Sequence, residues 1–173
     1  MLVRMKRDRR DRFDALCGIE YPRLVRTAYL ITGDLEEARD LAQEALVRCY
    51  SRWGSLSEDR NVGKWLHRVV TNLALSSLRR ERLRRRFRLT RDEEEASAGE
   101  FTDPALVGAL HALPPAQRGV VVLRYCLDWS TEDVARALGK RPGTVRALAS
   151  QGIARLRADF KELEEEVLAD EHR

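Results

Sequence analysis

Residues 130–151 read STEDVARALGKRPGTVRALASQ, and this stretch decides the fold of the second half of the chain. Ser130 is a typical helix N-cap, because its hydroxyl accepts a backbone N–H of the first turn, and Asp133 is placed to reach back to it. Gly139 supplies the left-handed residue that ends a short helix. Pro142 fixes a backbone angle suited to the first turn of the next helix. The stretch therefore predicts two helices joined by a tight turn.

The apolar spacing of these two helices resembles the helix-turn-helix template. Counted from Thr131, a small residue falls fifth, a glycine ninth, a valine fifteenth and a leucine eighteenth. These residues are Ala135, Gly139, Val145 and Leu148. An ordinary helical hairpin within a larger bundle is the structural alternative, but four matched offsets together with a cap and a proline favour DNA binding.

In a helix-turn-helix protein, the second helix enters the major groove and its N-terminal residues face the base edges. Arginine and glutamine are suited to bidentate contacts with guanine and adenine edges respectively. The candidate duplex-reading residues are therefore Arg141, Thr144, Arg146, Ser150 and Gln151. This motif alone does not distinguish one class of DNA-binding protein from another.

The first half of the chain also shows helical apolar spacing. One predicted helix covers about residues 11–31, with an interruption around Pro22. Asp34 is the predicted N-cap of a second helix that runs to about Trp53, and Glu37 completes an acidic capping box. The polar face of this second helix carries Asp40, Gln43, Glu44 and Arg48.

A third helix is predicted from about Lys64, and it mixes aromatic and hydrogen-bonding side chains. These are Trp65, His67, Arg68, Thr71 and Asn72. Such a mixture suits single-stranded nucleic acid, whose unstacked bases need stacking surfaces and hydrogen-bond partners. For Trp65 alone, packing in the core is an equally good interpretation.

The third helix runs into a dense basic stretch, residues 79–91, which holds eight arginines and one glutamate. So little neutralising acid favours a phosphate-binding surface that includes Arg79 and Arg80. An acidic segment rich in small residues follows at once, with too few apolar side chains to offset the entropy of ordering. We therefore expect an all-α protein in which two small helical domains, residues 10–90 and 104–163, are joined by a flexible acidic linker, residues 91–103.

Several function classes find no support in the sequence. No apolar stretch reaches the ~20 residues needed to cross a bilayer, and no signal peptide follows the basic N-terminus, which predicts a cytoplasmic protein without membrane contact. The three cysteines are widely spaced, and Cys49 is expected to be a buried, reduced thiol. We find no spacing for a metal site or a cofactor and no nucleophile–base pair, so an enzyme is the least favoured interpretation.

Three segments resemble the extracytoplasmic-function (ECF) class of bacterial sigma factors, within the sigma-70 family. DLAQEALVRCYSRW resembles the region-two helix that docks on the polymerase clamp, and WLHRVVTNLALSSLRRERLRRR resembles the promoter-melting and minus-ten-recognition stretch. The run LPPAQRGVVVLRY, followed by a helix-turn-helix with GTVR, resembles region four. The resemblance covers roughly residues 10–160 apart from the linker. In detail, the chain is similar to an actinobacterial SigE-type subgroup.

The resemblance implies a role for each motif. Asp40, Gln43, Glu44 and Arg48 are expected to contact the clamp helices of the beta-prime subunit of core RNA polymerase. Trp65, Arg68 and Asn72 are expected to hold the opened minus-ten strand of promoter DNA, with Arg79 and Arg80 on adjacent phosphates. The helix that carries Arg146 is expected to read the minus-thirty-five element, and region four to meet the flap of the beta subunit. An anti-sigma protein is a candidate partner, as for many members of the class.

The sequence departs from the class at two places. The loop before Trp65 reads RNVGK where a proline-containing turn is common, and Ala147 and Gln151 replace a common serine and a basic residue. Ala147 and Gln151 predict altered minus-thirty-five specificity or weaker phosphate affinity, whereas the changed loop bears on strand capture at Trp65. The leading alternative is a dimeric helix-turn-helix repressor or activator, which a sedimentation measurement distinguishes from a monomeric sigma factor.

Overall fold

The computed structural model describes residues 2–56, 61–87 and 103–170, with side chains at 10–56, 61–83 and 103–160. Within these ranges every regular element is a helix, which confirms the all-α prediction. The chain divides into two compact units, residues 1–97 and 98–173. The predicted acidic linker lies outside the described residues except for Asp103, whose carboxylate accepts the backbone N–H of Ala105 and caps the helix that follows.

The N-terminal unit consists of α1 (Leu2–Thr32), α2 (Leu35–Ser51), the short α3 (Trp53–Leu56) and α4 (Val62–Phe87). Helices α1, α2 and α4 pack against one another around small and branched side chains. The most deeply buried include Leu24, Ala28, Ile31, Ala38, Ala42, Ala45, Leu66, Val70 and Ala74. Small residues dominate the buried face of α2, which allows the neighbouring helices to approach closely.

The interruption predicted around Pro22 was wrong, because α1 continues through it. A proline inside a helix removes one backbone hydrogen bond and costs about 3 kcal/mol. Directly after Pro22, however, Leu24 and Val25 are buried, and so are Ala28 and Ile31 further along. Burial of these side chains contributes more than the proline costs, since each large apolar side chain is worth about 1.5–3 kcal/mol.

The start of α2 confirms one half of the predicted capping box and corrects the other. The Asp34 carboxylate accepts the backbone N–H of Glu37 at 2.9 Å. The Glu37 carboxylate does not complete the box, because it accepts the hydroxyl of Ser77 on α4. The backbone N–H of Asp34 is directed instead at the hydroxyl of Thr32, 3.4 Å away. A local capping partner has thus become a tertiary contact between α2 and α4.

The C-terminal unit consists of α5 (Pro104–Ala112), α6 (Pro115–Val121), a π-helical turn (Val122–Cys126), α7 (Thr131–Leu138) and α8 (Pro142–Asp170). Buried Arg118 closes the end of α5 by donating to the carbonyls of His111 and Leu113. Helix α8 crosses α6 at Gly152, where an added Cβ would lie 2.7 Å from Cγ2 of Val121. Only a residue without a side chain permits so close a crossing.

The predicted helix-turn-helix is present. The Ser130 hydroxyl accepts the N–H of Asp133 at 3.0 Å, and Gly139 adopts the left-handed conformation with φ of 62°. Val134 of α7 and Val145 of α8 are fully buried in one cluster with Trp129. The two helices are therefore held by an apolar core on one side, and the opposite side of α8 is exposed.

Candidate polymerase and nucleic-acid interfaces

The polar face of α2 is exposed at all four positions expected from the sequence. Asp40, Gln43, Glu44 and Arg48 point away from the core, and Arg48 forms an ion pair with Glu44 one turn earlier. Val47 lies among them, because it stands four residues after Gln43 and three after Glu44. Its side chain is 67% exposed, and Tyr50 beside this face is also exposed. We call these five residues, 40, 43, 44, 47 and 48, the α2 face.

Val47 was missed in the sequence interpretation, although a signal was present. It is an apolar residue among the polar positions of an amphipathic helix, where burial against the core is geometrically excluded. An exposed valine surrounded by charged groups is typical of the apolar centre and polar rim of a binding surface. The α2 face therefore has the chemistry of a protein-binding surface.

On α4 the structure brings four of the five predicted strand-binding residues into one line. Trp65, Arg68, Asn72 and Arg79 are separated by intervals of three, four and seven residues, so they share one side of the helix. Arg68 and Arg79 are exposed, and Trp65 and Asn72 are half-buried. At 1.5 Å per residue, the line from Trp65 to Arg79 is about 21 Å long. We call it the α4 stripe.

Two further residues continue the α4 stripe. Ser76 fills the interval between Asn72 and Arg79, and its hydroxyl accepts a guanidinium N–H of Arg79 at 3.3 Å. Leu83, one turn after Arg79, is 56% exposed. Arg80 is exposed on the adjoining side of the helix. The side chains of the arginines at 84–91 lie outside the described residues, so the basic surface is described only at its beginning.

Two residues of the predicted strand-binding mixture are not available to a ligand. His67 is 8% exposed and Thr71 is fully buried. Nδ1 of His67 lies 3.1 Å from the hydroxyl of Thr27, and Nε2 lies 3.6 Å from the Glu20 carboxylate. Burial, with a smaller contribution from Arg23, lowers the pKa of His67 to about 4. This histidine is a structural group that joins α4 to α1.

All five predicted duplex-reading residues, Arg141, Thr144, Arg146, Ser150 and Gln151, are exposed. The structure divides those on α8 between two flanks of the helix. Thr144 and Gln151 lie on one flank together with Ala147, and Arg146 and Ser150 lie on the other. Gln151 is not a freely rotating side chain, since its Oε1 accepts the amide N–H of Gln117 on α6 at 3.0 Å.

Beside the Arg146 flank, the C-terminal unit has an open recess of about 390 Å³. It is lined by Arg124, Tyr125, Thr131, Arg146, Ala149, Ser150, Ile153, Ala154 and Arg157. Three arginines with no acidic residue in the lining make the recess electropositive. Arg124 and Tyr125 were missed because they precede the motif, although the side chain of Tyr125 is 54% exposed. The recess extends the basic surface beyond α8.

Neither a metal site nor a membrane helix is found in the described part of the chain. No group of three or more His, Cys, Asp or Glu side chains there is arranged to hold a metal ion. None of the helices in that part combines the length and hydropathy that a bilayer span requires. Cys49 is buried as predicted, and burial raises the pKa of its thiol to about 11.

Comparison with known protein families finds two matching models. Residues 19–84 match sigma-70 region 2, and residues 105–156 match sigma-70 region 4. The first match contains the α2 face and the α4 stripe, and the second contains the helix-turn-helix with both flanks of α8.

Individual proteins that are similar to this chain in sequence or fold are also sigma factors. The RNA polymerase sigma-E factor of Streptomyces avermitilis is 36% identical over 80% of this chain and 79% of its own length. The ECF sigma factor SigM of Mycobacterium tuberculosis is 34% identical over 83% of this chain and 74% of its own. The sigma factor RpoE of Bartonella quintana, solved with the anti-sigma factor NepR, has a similar fold, with a TM-score of 0.71, 22% identity and coverage of 86% and 96% of the two chains.

Proposed function

Because the chain belongs to the ECF class of the sigma-70 family, we propose that it is an alternative sigma factor, which binds core RNA polymerase and directs promoter-specific transcription initiation. The observation that carries this proposal is that both sigma-70 regions match, and that each contains an exposed surface suited to its role. Sigma factors act as transcription initiation factors, which agrees with the lack of support for catalysis in the sequence. The cytoplasm, where core polymerase works, is the proposed location.

The α2 face is the proposed contact for the clamp helices of the beta-prime subunit. Val47 offers an apolar centre, and Asp40, Gln43 and Glu44 supply polar groups around it. Buried apolar contacts in the middle of an interface carry most of its binding free energy, and charged groups at the rim set orientation and rate of encounter. A clamp surface that places basic groups opposite Asp40 would be complementary in charge to the α2 face.

The α4 stripe is the proposed site for the opened minus-ten strand. Trp65 at one end provides a ring on which a flipped base can stack, and Asn72 provides an amide for a base edge. Arg68 and Arg79 are exposed cations along the same line, with Arg80 beside it, and they suit backbone phosphates. A line of about 21 Å spans several nucleotides of extended single strand, which matches a short melted element.

Helix α8 is the proposed reader of the minus-thirty-five element as duplex. Thr144 and Arg146 in its N-terminal turns are exposed, as is Arg141 just before the helix, and docking in the major groove requires such exposure. The recess beside it is electropositive, which favours the DNA backbone. Region four is also the proposed contact for the flap of the beta subunit, and an anti-sigma protein is a candidate regulator.

Dividing DNA recognition between two units has a physical advantage. Each contact alone is weak, but the polymerase holds both units on one platform and so raises the effective concentration of the second contact. We therefore expect the isolated chain to bind promoter DNA poorly and its complex with core polymerase to bind it strongly.

Sedimentation of the purified chain with and without bacterial core polymerase tests this proposal. We expect a monomer that shifts into a one-to-one complex with core. Asp40→Arg is expected to weaken the complex, whereas Asp11→Arg, the same change at an exposed position of α1, is the matched control. An obligate dimer that ignores core and retains specific duplexes by itself would overturn the proposal in favour of a conventional repressor or activator.

A further inference from the structure

A buried glutamine on α6 holds a residue of the DNA-reading helix. Gln117 is only 6% exposed, and its Nε2 donates to Oε1 of Gln151 at 3.0 Å. Gln151 itself is exposed on the flank of α8 that carries Thr144 and Ala147. The contact thus connects the interior of the C-terminal unit to the surface proposed to face the minus-thirty-five duplex.

Gly152 makes this contact possible. A Cβ at this position would lie 2.7 Å from Cγ2 of Val121 and 3.7 Å from Cβ of Gln117. The absence of a side chain therefore lets α6 and α8 approach closely, directly beside Gln151.

The stability of the fold alone does not explain a buried amide at position 117. Its Oε1 is buried and has no hydrogen-bond partner among the described residues. A buried polar atom without a partner is destabilising, and an apolar side chain of similar volume would avoid this penalty. Among the described residues the amide makes one side-chain hydrogen bond, to Gln151, and its benefit lies in that bond.

In the structure the Gln151 amide faces Gln117 with its Oε1. With Oε1 turned towards Gln117, the NH2 group of Gln151 is directed outward as a donor. In the major groove guanine offers two acceptors, adenine N7 and thymine O4 offer one each, and cytosine offers only a donor. An outward NH2 group therefore pairs with guanine, adenine or thymine and meets an unfavourable donor on cytosine.

We propose that Gln117 is a positioning residue that turns the Gln151 amide donor outward and thereby excludes cytosine at one position of the minus-thirty-five element. This inference rests on the proposed function, since it needs the exposed side of α8 to meet duplex DNA. It gives a physical role to a position where the class commonly has a basic residue. Specificity there depends on a residue of α6 as well as on the reading helix.

Two substitutions of Gln117 distinguish a role in positioning the Gln151 amide from a role in stabilising the fold. Gln117→Leu keeps the volume, removes the donor and is expected to leave the fold intact, as circular dichroism of the full chain would show. Gln117→Glu removes the donor but keeps an acceptor, so the Gln151 amide is expected to turn and present its oxygen, which suits the cytosine amino group. Each variant is also made in a Gln151→Ala background.

The measurement is selection of duplexes from a library randomised across the minus-thirty-five element, by polymerase reconstituted with each variant. Wild type is expected to discriminate about 10-fold against cytosine at one position, the size of one hydrogen bond. Gln151→Ala and Gln117→Leu are each expected to reduce this to about 2-fold or less, and Gln117→Glu to shift the preference towards cytosine. In the Gln151→Ala background neither Gln117 change should alter base preference further.

Three results would overturn the inference, and they are distinguishable. If wild type shows no base preference at any position, the proposed minus-thirty-five function fails and the inference fails with it. If wild type has a preference but Gln151→Ala only weakens all duplexes equally, Gln151 contacts phosphate. If Gln117→Leu changes preference equally with and without Gln151, then Gln117 acts through the fold of α8 and does not position Gln151.

Discussion

Nδ1 of His67 lies 3.1 Å from Oγ1 of Thr27, inside the N-terminal unit. The contact joins α4 to α1 at the level of Trp65 and Arg68, two residues of the α4 stripe. Because His67 faces inward, the helical period turns Trp65 and Arg68 towards the opposite side of α4. The histidine therefore contributes to the proposed strand-binding surface without touching a ligand.

This contact predicts an acid-sensitive N-terminal unit. In the unfolded chain a histidine takes up a proton near pH 6.5, whereas His67 in the folded unit does so only near pH 4. Between these values the unfolded state binds more protons, so the free energy of unfolding decreases as the pH falls. The decrease in the free energy of unfolding reaches about 3 kcal/mol at pH 4, and its slope is at most about 1.4 kcal/mol per pH unit.

Hydrogen exchange at the amides of α1 and α4 measures this stability separately from that of the C-terminal unit. His67→Gln keeps hydrogen-bonding capacity towards Thr27 but does not titrate, so it is the control. Subtracting its pH profile from that of wild type leaves the His67 contribution. A difference that stays flat from pH 7 to pH 4 would contradict the assignment.

Gly152→Ala is expected to destabilise the C-terminal unit by about 1–3 kcal/mol, because the new methyl group overlaps Val121 at the crossing of α6 and α8. Gly143→Ala is the matched control on the same helix, since an added Cβ there meets nothing within 4 Å. That change is expected to be neutral or slightly stabilising. Hydrogen exchange at the amides of α6 and α8 in increasing urea compares the two, and equal effects would show that the crossing is not tight.

Val47→Asp is expected to weaken binding to core polymerase at least about 10-fold, since it places a charge at the apolar centre of the α2 face. The side chain is exposed, so the fold should not change. Ile19→Asp makes the same change at an exposed residue of α1 and is expected to leave affinity within about 2-fold. Fluorescence anisotropy of the labelled chain titrated with core measures both. Equal loss in the two variants would remove the α2 face from the interface.

Trp65→Ala is expected to cost about 1–3 kcal/mol in binding of an opened minus-ten strand, the usual value for one base stacked on an aromatic ring. Trp65→Phe retains a ring and should recover most of the affinity. The assay is binding of a template with a single-stranded minus-ten element to polymerase reconstituted with each variant. Binding to a duplex that carries only the minus-thirty-five element is the internal control, and if both templates lose affinity alike, Trp65 has a structural role.

The parts of the fold that depend on local chemistry could be predicted from the sequence. Ser130, Gly139 and Pro142 act within a few residues of their own position, so their capping and turn roles were visible before the structure. The exposure of Asp40, Gln43, Glu44 and Arg48 on α2 followed from helical periodicity in the same way. Local signals of this kind specify helix ends and faces well.

The remaining features depend on partners distant in sequence. Glu37 and Ser77 are forty residues apart, as are Thr27 and His67, so no local pattern could show that these pairs meet. Pro22 was misread for the same reason, because packing against α2 and α4 offsets its local cost. Gln117 had no distinguishing signal in the sequence; its importance arises from the crossing at Gly152.

The most direct test of the central claim is transcription from a promoter library by core RNA polymerase, with and without this protein, followed by mapping of start sites. We expect new start sites that require the protein, with shared elements near minus ten and minus thirty-five. Arg146→Ala is expected to alter base preference only in the minus-thirty-five element. Start sites unchanged by the protein, with no association with core, would contradict the claim.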